Sequence, residues 1–191
     1  MVGRLPGRSR MLGEGPACYN GDGIKIDYTY ATPEGPGLKS RGETYGFELL
    51  HACLKLMYDA AKSAKADALV SIYAANPYFA DCCDMVRVGD LYTFRGDPRH
   101  TLNWRAQVIK AALPHALIDT DGCFRFSMRD DLEELLEHQG ALGVPTLYQA
   151  EHLVQMRAFC PNRTRKLTTR DYEAISRAFA VYNQSRNGGG A

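Results

Sequence analysis

One pattern constrains this chain more than any other: behind residue 23, strand-like and helix-like stretches alternate almost to the C-terminus. The first is Gly23-Ile24-Lys25-Ile26-Asp27-Tyr28, a period-two stretch predicting a strand over 24–30. Ile24 and Ile26 share one face, and Lys25 and Asp27 the other. Alternation of strands and helices predicts an α/β fold with a parallel sheet, covered by helices on one side at least. In such a sheet the isoleucines face helices. Lys25 and Asp27 then point into a sheet or barrel interior near a C-terminal strand end, where α/β folds place their chemistry.

A Pro/Gly-rich loop over 31–42 follows, then a helix to about Lys65. Its stripe is Phe47, Leu50, Leu54, Met57, Ala61 and Ala64, with Lys55, Asp59 and Lys62 on the solvated side. Strands are expected at 68–73 and 84–90, with only Pro77 to Cys83 between them, a short crossover at best. Either a single turn of helix fills that link or one of the two is not a strand. A helix over 98–113 carries Leu102, Val108, Ile109 and Leu113 inward, and Pro98 suits its first turn. A strand at 116–119 runs into the turn Thr120-Asp121-Gly122. A helix over 130–138, with Leu132, Leu135 and Leu136 inward, starts on an Asp130 or Asp131 cap and closes at Gly140. Val144 to Tyr148 is a last strand, its Pro145 suiting an edge. The closing helix, 169–186, is capped by Thr168 or Thr169 and buries Tyr172, Ile175, Ala178, Phe179 and Tyr182.

Length fits one sizeable core in 191 residues, read as a single domain over 23–186 between a loose arm (1–22) and a frayed tail (187–191). A net charge of +1 favours neither nucleic acid nor an anionic membrane. No apolar run reaches the ~18 residues of a membrane helix. Met1 to Arg10 lacks an apolar core for a secretory signal. The six cysteines are scattered without a C-x-x-C, which fits packing thiols in a reducing cytoplasm rather than a metal site. No cofactor is expected.

Three strand ends carry acids: Asp27, Asp90 and Asp119, with Asp121 just beyond. Acids at the ends of parallel strands converge on one mouth. Two of them can divide labour, one ionised and attacking carbon, the other holding a proton for a leaving oxygen. That is the carboxylate pair of a retaining glycosidase, separated by roughly 5–5.5 Å. Asp119 and Asp121 read equally well as turn formers. Lys25, two residues before Asp27, would hold that carboxylate ionised and donate to a sugar hydroxyl.

The Lys25-Ile26-Asp27 triplet, followed by a long loop and a helix, resembles the K-x-D nucleophile motif of clan D glycoside hydrolases, the α-galactosidase (melibiase) families and their relatives. The resemblance implies a partial TIM barrel of about five parallel strands, equivalent to the fourth to eighth. Asp27 would be the nucleophile, and Asp90, closing the sixth strand, the acid/base. Arg87 resembles the arginine that often precedes that acid, although a neighbouring tryptophan or serine common in the family is missing. Lys25, Arg87, Tyr73, Asp119 and Asp121 would line the carbohydrate substrate. A full barrel takes eight strands and typically ~250 residues. Strands one to three, which supply much of the sugar-binding wall, have no counterpart here, so open sheet edges invite self-association or completion by a partner chain.

Two other functions remain open: a catalytically silent or carbohydrate-binding barrel remnant, and an aldolase using Lys25 as a Schiff base. Trp104, Tyr73, Tyr78, Phe79, Tyr92 and Phe94 are candidates for a sugar-stacking platform, though such aromatics more often serve as core.

Overall fold

The computed structural model describes residues 21–27, 29, 35–37, 39, 44–90, 97–121, 132–145 and 168–188. Residues 1–20 of the expected arm, the caps at 130 and 131, residues 146–148 of the last strand, Tyr92, Phe94 and the end of the tail lie outside them. Four strands, β1 (Gly23–Lys25), β2 (Leu69–Ile72), β3 (Met85–Arg87) and β4 (Leu117–Asp119), form one parallel sheet in the order β1-β2-β3-β4. Four α-helices accompany them among the described residues: α1 (Gly46–Ala64), α2 (Pro98–Ala112), α3 (Leu132–Leu142) and α4 (Thr169–Gly188). The fold is therefore α/β with an all-parallel sheet in sequential order. None of these helices is long and apolar enough to cross a membrane.

The chain divides into two compact units, Met1–Val86 with Ala112–Ala116, and Arg87–Ala111 with Leu117–Ala191. In the first, β1 pairs with β2 (Ile24 with Val70, Lys25 with Ser71) and β2 with the start of β3 (Ser71 with Met85, Ile72 with Val86). Val70, Ile72 and Val86 are fully buried, as the β-branched strand pattern requires. The link between β2 and β3 is a single 3₁₀ turn, Pro77–Phe79. Asn76 caps it by accepting from Tyr78 N, and Phe79 is driven completely into the core. Both expected strands therefore exist, joined by one turn rather than a full helix.

Asp84 organises the start of β3. Its carboxylate accepts from Val70 N (2.8 Å), sits 2.8 Å from Lys62 Nζ, and takes a longer bond from the Tyr58 hydroxyl at 3.3 Å. Burial, then the Asp84 charge, pushes the Tyr58 phenol up. Lys62 was expected on a solvated face; instead it also reaches Ala68 O at 2.7 Å and ties α1 to β2. The α1 stripe is narrower than its spacing predicts. Leu54 and Ala61 are buried, whereas Phe47 is 65% exposed.

In the second unit α2 buries Leu102, Ala106 and Ile109, but Val108 turns outward. The helix α3 runs past Gly140, which is no C-cap. It is the point where α3 meets α4, since a Cβ there would run into the Ala178 carbonyl. Helix α4 opens on a capping box: Asp171 Oδ2 accepts from Thr168 N (2.7 Å) and Thr168 Oγ1 (2.8 Å), while Asp171 N donates back to Thr168 Oγ1 (3.4 Å). Asp171, Ala174 and Ala178 form its buried side, so the small residues pack inward while Tyr172 and Phe179 stay exposed. Of the expected stripe Ala178 is buried and Ile175 and Tyr182 are half-buried, while Tyr172 and Phe179 give way to Asp171 and Ala174. Close approach at Gly140 leaves room only for alanines opposite.

Gly140→Ala is expected to lower stability by about 1–3 kcal/mol through overpacking, against the helix propensity that alanine gains. The urea midpoint measures it, and an unchanged or raised midpoint contradicts the close crossing.

Candidate functional site

The strand-end residues fall into two groups, one in each unit. In the first unit, β1 ends at Lys25, and Ile26 N donates to Ser71 O to carry the pairing one step further. Lys25 Nζ then lies 3.3 Å from Asp27 Oδ2, with side chains 29% and 40% exposed. The alternation of the triplet is kept: Ile24 and Ile26 are half-buried on one face, and Lys25 and Asp27 share the other. Their expected burial in an interior is not. As the edge strand, β1 has a described partner only on its β2 side. A pair this open avoids most of the desolvation cost, and its worth is up to about 1 kcal/mol. Tyr73 stands half-buried just past the end of β2.

In the second unit, Arg87 closes β3 with its side chain only 3% exposed. Asp121 is 1% exposed, two residues beyond the end of β4. Arg87 donates to Asp121 Oδ2 through Nε (3.2 Å) and Nη2 (3.0 Å). The same Nη2 lies 2.7 Å from Asp90 Oδ1. One guanidinium thus bridges two carboxylates, which matches its fork of donors. Asp90 is the open member, at 37% exposure.

The backbone between Arg87 and Asp90 is held as well. Val88 N donates to Asp119 O at 2.9 Å, and Gly89 adopts a φ of 89°, a left-handed turn that suits glycine. Arg105, projecting from α2, donates through Nη1 to Val88 O (2.9 Å) and Asp90 O (3.4 Å).

A second tier supports Asp121. Asp119 Oδ1 accepts from Asp121 N at 2.9 Å, so Asp119 forms the turn that aims Asp121 at Arg87. Thr120 donates from both N and Oγ1 to Val144 O (3.1 and 2.7 Å), and Gln139 Nε2 donates to Thr120 O at 2.6 Å. Val144 forms a parallel bridge with Asp119, the described remnant of the expected last strand.

Of the residues singled out from sequence, then, Lys25 meets Asp27, and Arg87 meets Asp90 and Asp121, with Asp119 behind them. Asp27 belongs to the first unit and Asp90 to the second. Arg105 and Gln139 escaped sequence reading, and Thr120 was legible only as part of a turn. Arg105 carries a faint signal as a basic residue three positions after the stripe residue Leu102. Among the aromatic candidates, Phe79 is core, and Trp104 and Tyr78 are surface residues, 61% and 49% exposed.

A further cluster in the first unit was invisible from spacing. His51 Nε2 lies 2.8 Å from Asp81 Oδ1, and donor atoms of His51, Asp81 and Cys82 come within 4.8 Å of one another. The His51 bond holds the Asp81 carboxyl below its usual range. Cys82 points inward and donates to Phe79 O at 3.3 Å. Burial, reinforced by Cys83 and Asp81, pushes its thiol up to about 12; burial and Asp84 push Cys83 up to about 11. A protonated, buried thiol is a packing residue rather than a ready ligand.

The chain matches no family model, no curated protein and no solved structure in the three comparisons made.

Two outcomes are expected. Replacing Arg87 by methionine strands Asp121 and should cost about 3–5 kcal/mol, whereas Arg87→Met with Asp121→Leu should recover much of it; denaturant unfolding of both variants measures this. At pH 8 a maleimide should label exposed Cys53 and spare Cys82 and Cys83 until the chain is unfolded. Because their native values lie above the ordinary thiol's, these two thiols favour the fold below about pH 9 and cease to do so as pH climbs toward 11–12.

Proposed function

We propose that the chain derives from a retaining α-glycosidase barrel of the α-galactosidase type and acts on O-glycosidic bonds. The observation that carries this reading is the lysine–aspartate pair at the end of β1, Lys25 Nζ to Asp27 Oδ2 at 3.3 Å, on a K-x-D triplet. An ammonium beside a carboxylate at a parallel strand end suits a nucleophile that must be ionised and correctly turned. Asp90, three residues beyond the end of β3 and with its Oδ1 2.7 Å from Arg87 Nη2, is the second carboxyl in this reading.

In this reading an Asp27 oxygen attacks the anomeric carbon. The bond to the aglycone oxygen breaks, and that oxygen takes the proton of Asp90. Asp90, now a carboxylate, removes a proton from water. The water oxygen attacks the anomeric carbon, the sugar–Asp27 ester bond breaks, and configuration is retained. Lys25 and Tyr73 would contact sugar hydroxyls. The order of strands in the sheet is compatible with a partial barrel, the scaffold on which this chemistry is expected.

A Schiff-base lysine is favoured by an apolar pocket or a cationic neighbour. Lys25 instead stands against a carboxylate and is partly open to solvent, so the aldolase reading gains no support from its surroundings.

Asp27→Asn should lower turnover of an aryl α-galactoside by at least about a thousandfold, with folding intact by circular dichroism. A galacto-configured covalent inactivator should esterify Asp27 in the wild-type chain, as read by peptide mass mapping. Labelling elsewhere, or equal turnover by both proteins, removes Asp27 from the role.

A further inference from the structure

Asp90 is the most open member of the polar cluster in the second unit, yet it is anchored at both ends of the residue. Its carboxylate meets the Arg87 guanidinium, Nη2 to Oδ1 at 2.7 Å. Its carbonyl accepts from Arg105 Nη1, which also binds Val88 O. Between those two carbonyls lies Gly89 with a φ of 89°. A left-handed glycine is a joint where the chain could swing, because glycine loses more freedom on ordering than any other residue. One guanidinium nitrogen spanning the carbonyls on both sides of the joint removes that swing.

We infer that Arg105 is a positioning residue for Asp90: it locks the Val88-Gly89-Asp90 turn so that the carboxyl is delivered at a fixed place. The inference rests on the proposed role of Asp90 in proton delivery. The bonds from Arg105 Nη1 go to backbone oxygens, so its effect is on where Asp90 stands. Lysine reproduces it poorly: both bonds come from one nitrogen, and an ammonium has donors enough for them, but it is strongly hydrated and sits on a flexible stem that does not hold it between the two carbonyls. Arg99 on the same helix supplies the control. It pairs with Asp97 and Glu134 at the surface.

The test compares Arg105→Met, Arg105→Lys and Arg99→Met with wild type. The substrates are two aryl α-galactosides, one with a dinitrophenyl leaving group and one with an unactivated phenol. The first departs without proton donation and the second needs it. Both Arg105 variants should lose about tenfold to a hundredfold in kcat/KM on the unactivated substrate and stay near wild type in kcat/KM on the dinitrophenyl one, because kcat/KM reports the glycosylation step, whereas kcat on the dinitrophenyl substrate falls with the shared deglycosylation step in which Asp90 is the base. Arg99→Met should match wild type on both. A general loss of folding would depress both substrates together, and that result, or no loss at all, overturns the inference.

A second measurement does not depend on turnover. In chain labelled with ¹³C-aspartate, the Asp90 carboxyl resonance should shift or broaden in both Arg105 variants and hold still in Arg99→Met, with Asp27 unmoved in all. An unmoved Asp90 resonance overturns the positioning role. Wild type that turns over neither substrate while Asp90 does respond to Arg105 leaves the lock standing and sinks the glycosidase reading instead.

Discussion

The ion pair between Arg87 and Asp121 is the constraint on which the second unit depends. Both side chains are almost wholly withdrawn from water, at 3% and 1% exposure. Neither charge is tolerable there alone, and their mutual attraction compensates only if the geometry is good and the remaining donors and acceptors are used. They are used. Asp121 is aimed by Asp119, Arg87 spends its second contact on Asp90, and the backbone around Thr120 is tied to Gln139 and Val144. A cluster of this kind is rigid because loosening one bond leaves a neighbour unsatisfied in a poorly solvating place. The ends of β3 and β4 and the turns beyond them are fixed as a consequence.

The first unit holds its strands differently. Asp84 is a single carboxylate shared among the Val70 amide, the Lys62 ammonium and the Tyr58 hydroxyl. It joins helix α1 to the meeting point of β2 and β3 and leaves the β1 end lightly built. Lys25 and Asp27 stand where solvent reaches them. One unit thus presents a buried charge cluster with a single open acid, and the other an exposed pair on an edge strand.

The alternation of strands and helices was legible from sequence because period two and period 3.6 are written in the apolar residues themselves. Val70, Ile72 and Val86 are core as expected, and so are Leu54, Leu102, Ile109, Leu135 and Leu136. What misled was residue size. Phe47, Val108, Tyr172 and Phe179 look like core but are exposed; on α4 the alanines fill that place, Ala178 as expected and Ala174 besides, since the helix approaches Gly140 too closely for large side chains. A hydrophobic pattern records which residues prefer burial, not how near the neighbouring backbone comes. The acids at the strand ends were also legible, as was Arg87 beside Asp90. Their division into an open pair, a buried bridge and a turn-forming Asp119 was not, because depth of burial depends on pairing across residues far apart in the chain. Arg105 and Gln139 act through backbone carbonyls, which leave no imprint on residue type.

The short link between β2 and β3 carries a wider meaning. Parallel neighbours ordinarily return through a full helix, whose apolar stripe seals the sheet. Here Phe79, planted by a single 3₁₀ turn with Asn76 holding its start, places one ring in the core on that return. A crossover can therefore be trimmed to a peg when the peg is aromatic and its stem is pinned. Strand pairing and the thickness of the surrounding layer are separable properties of such a sheet, and a chain economising on length can give up the second while keeping the first.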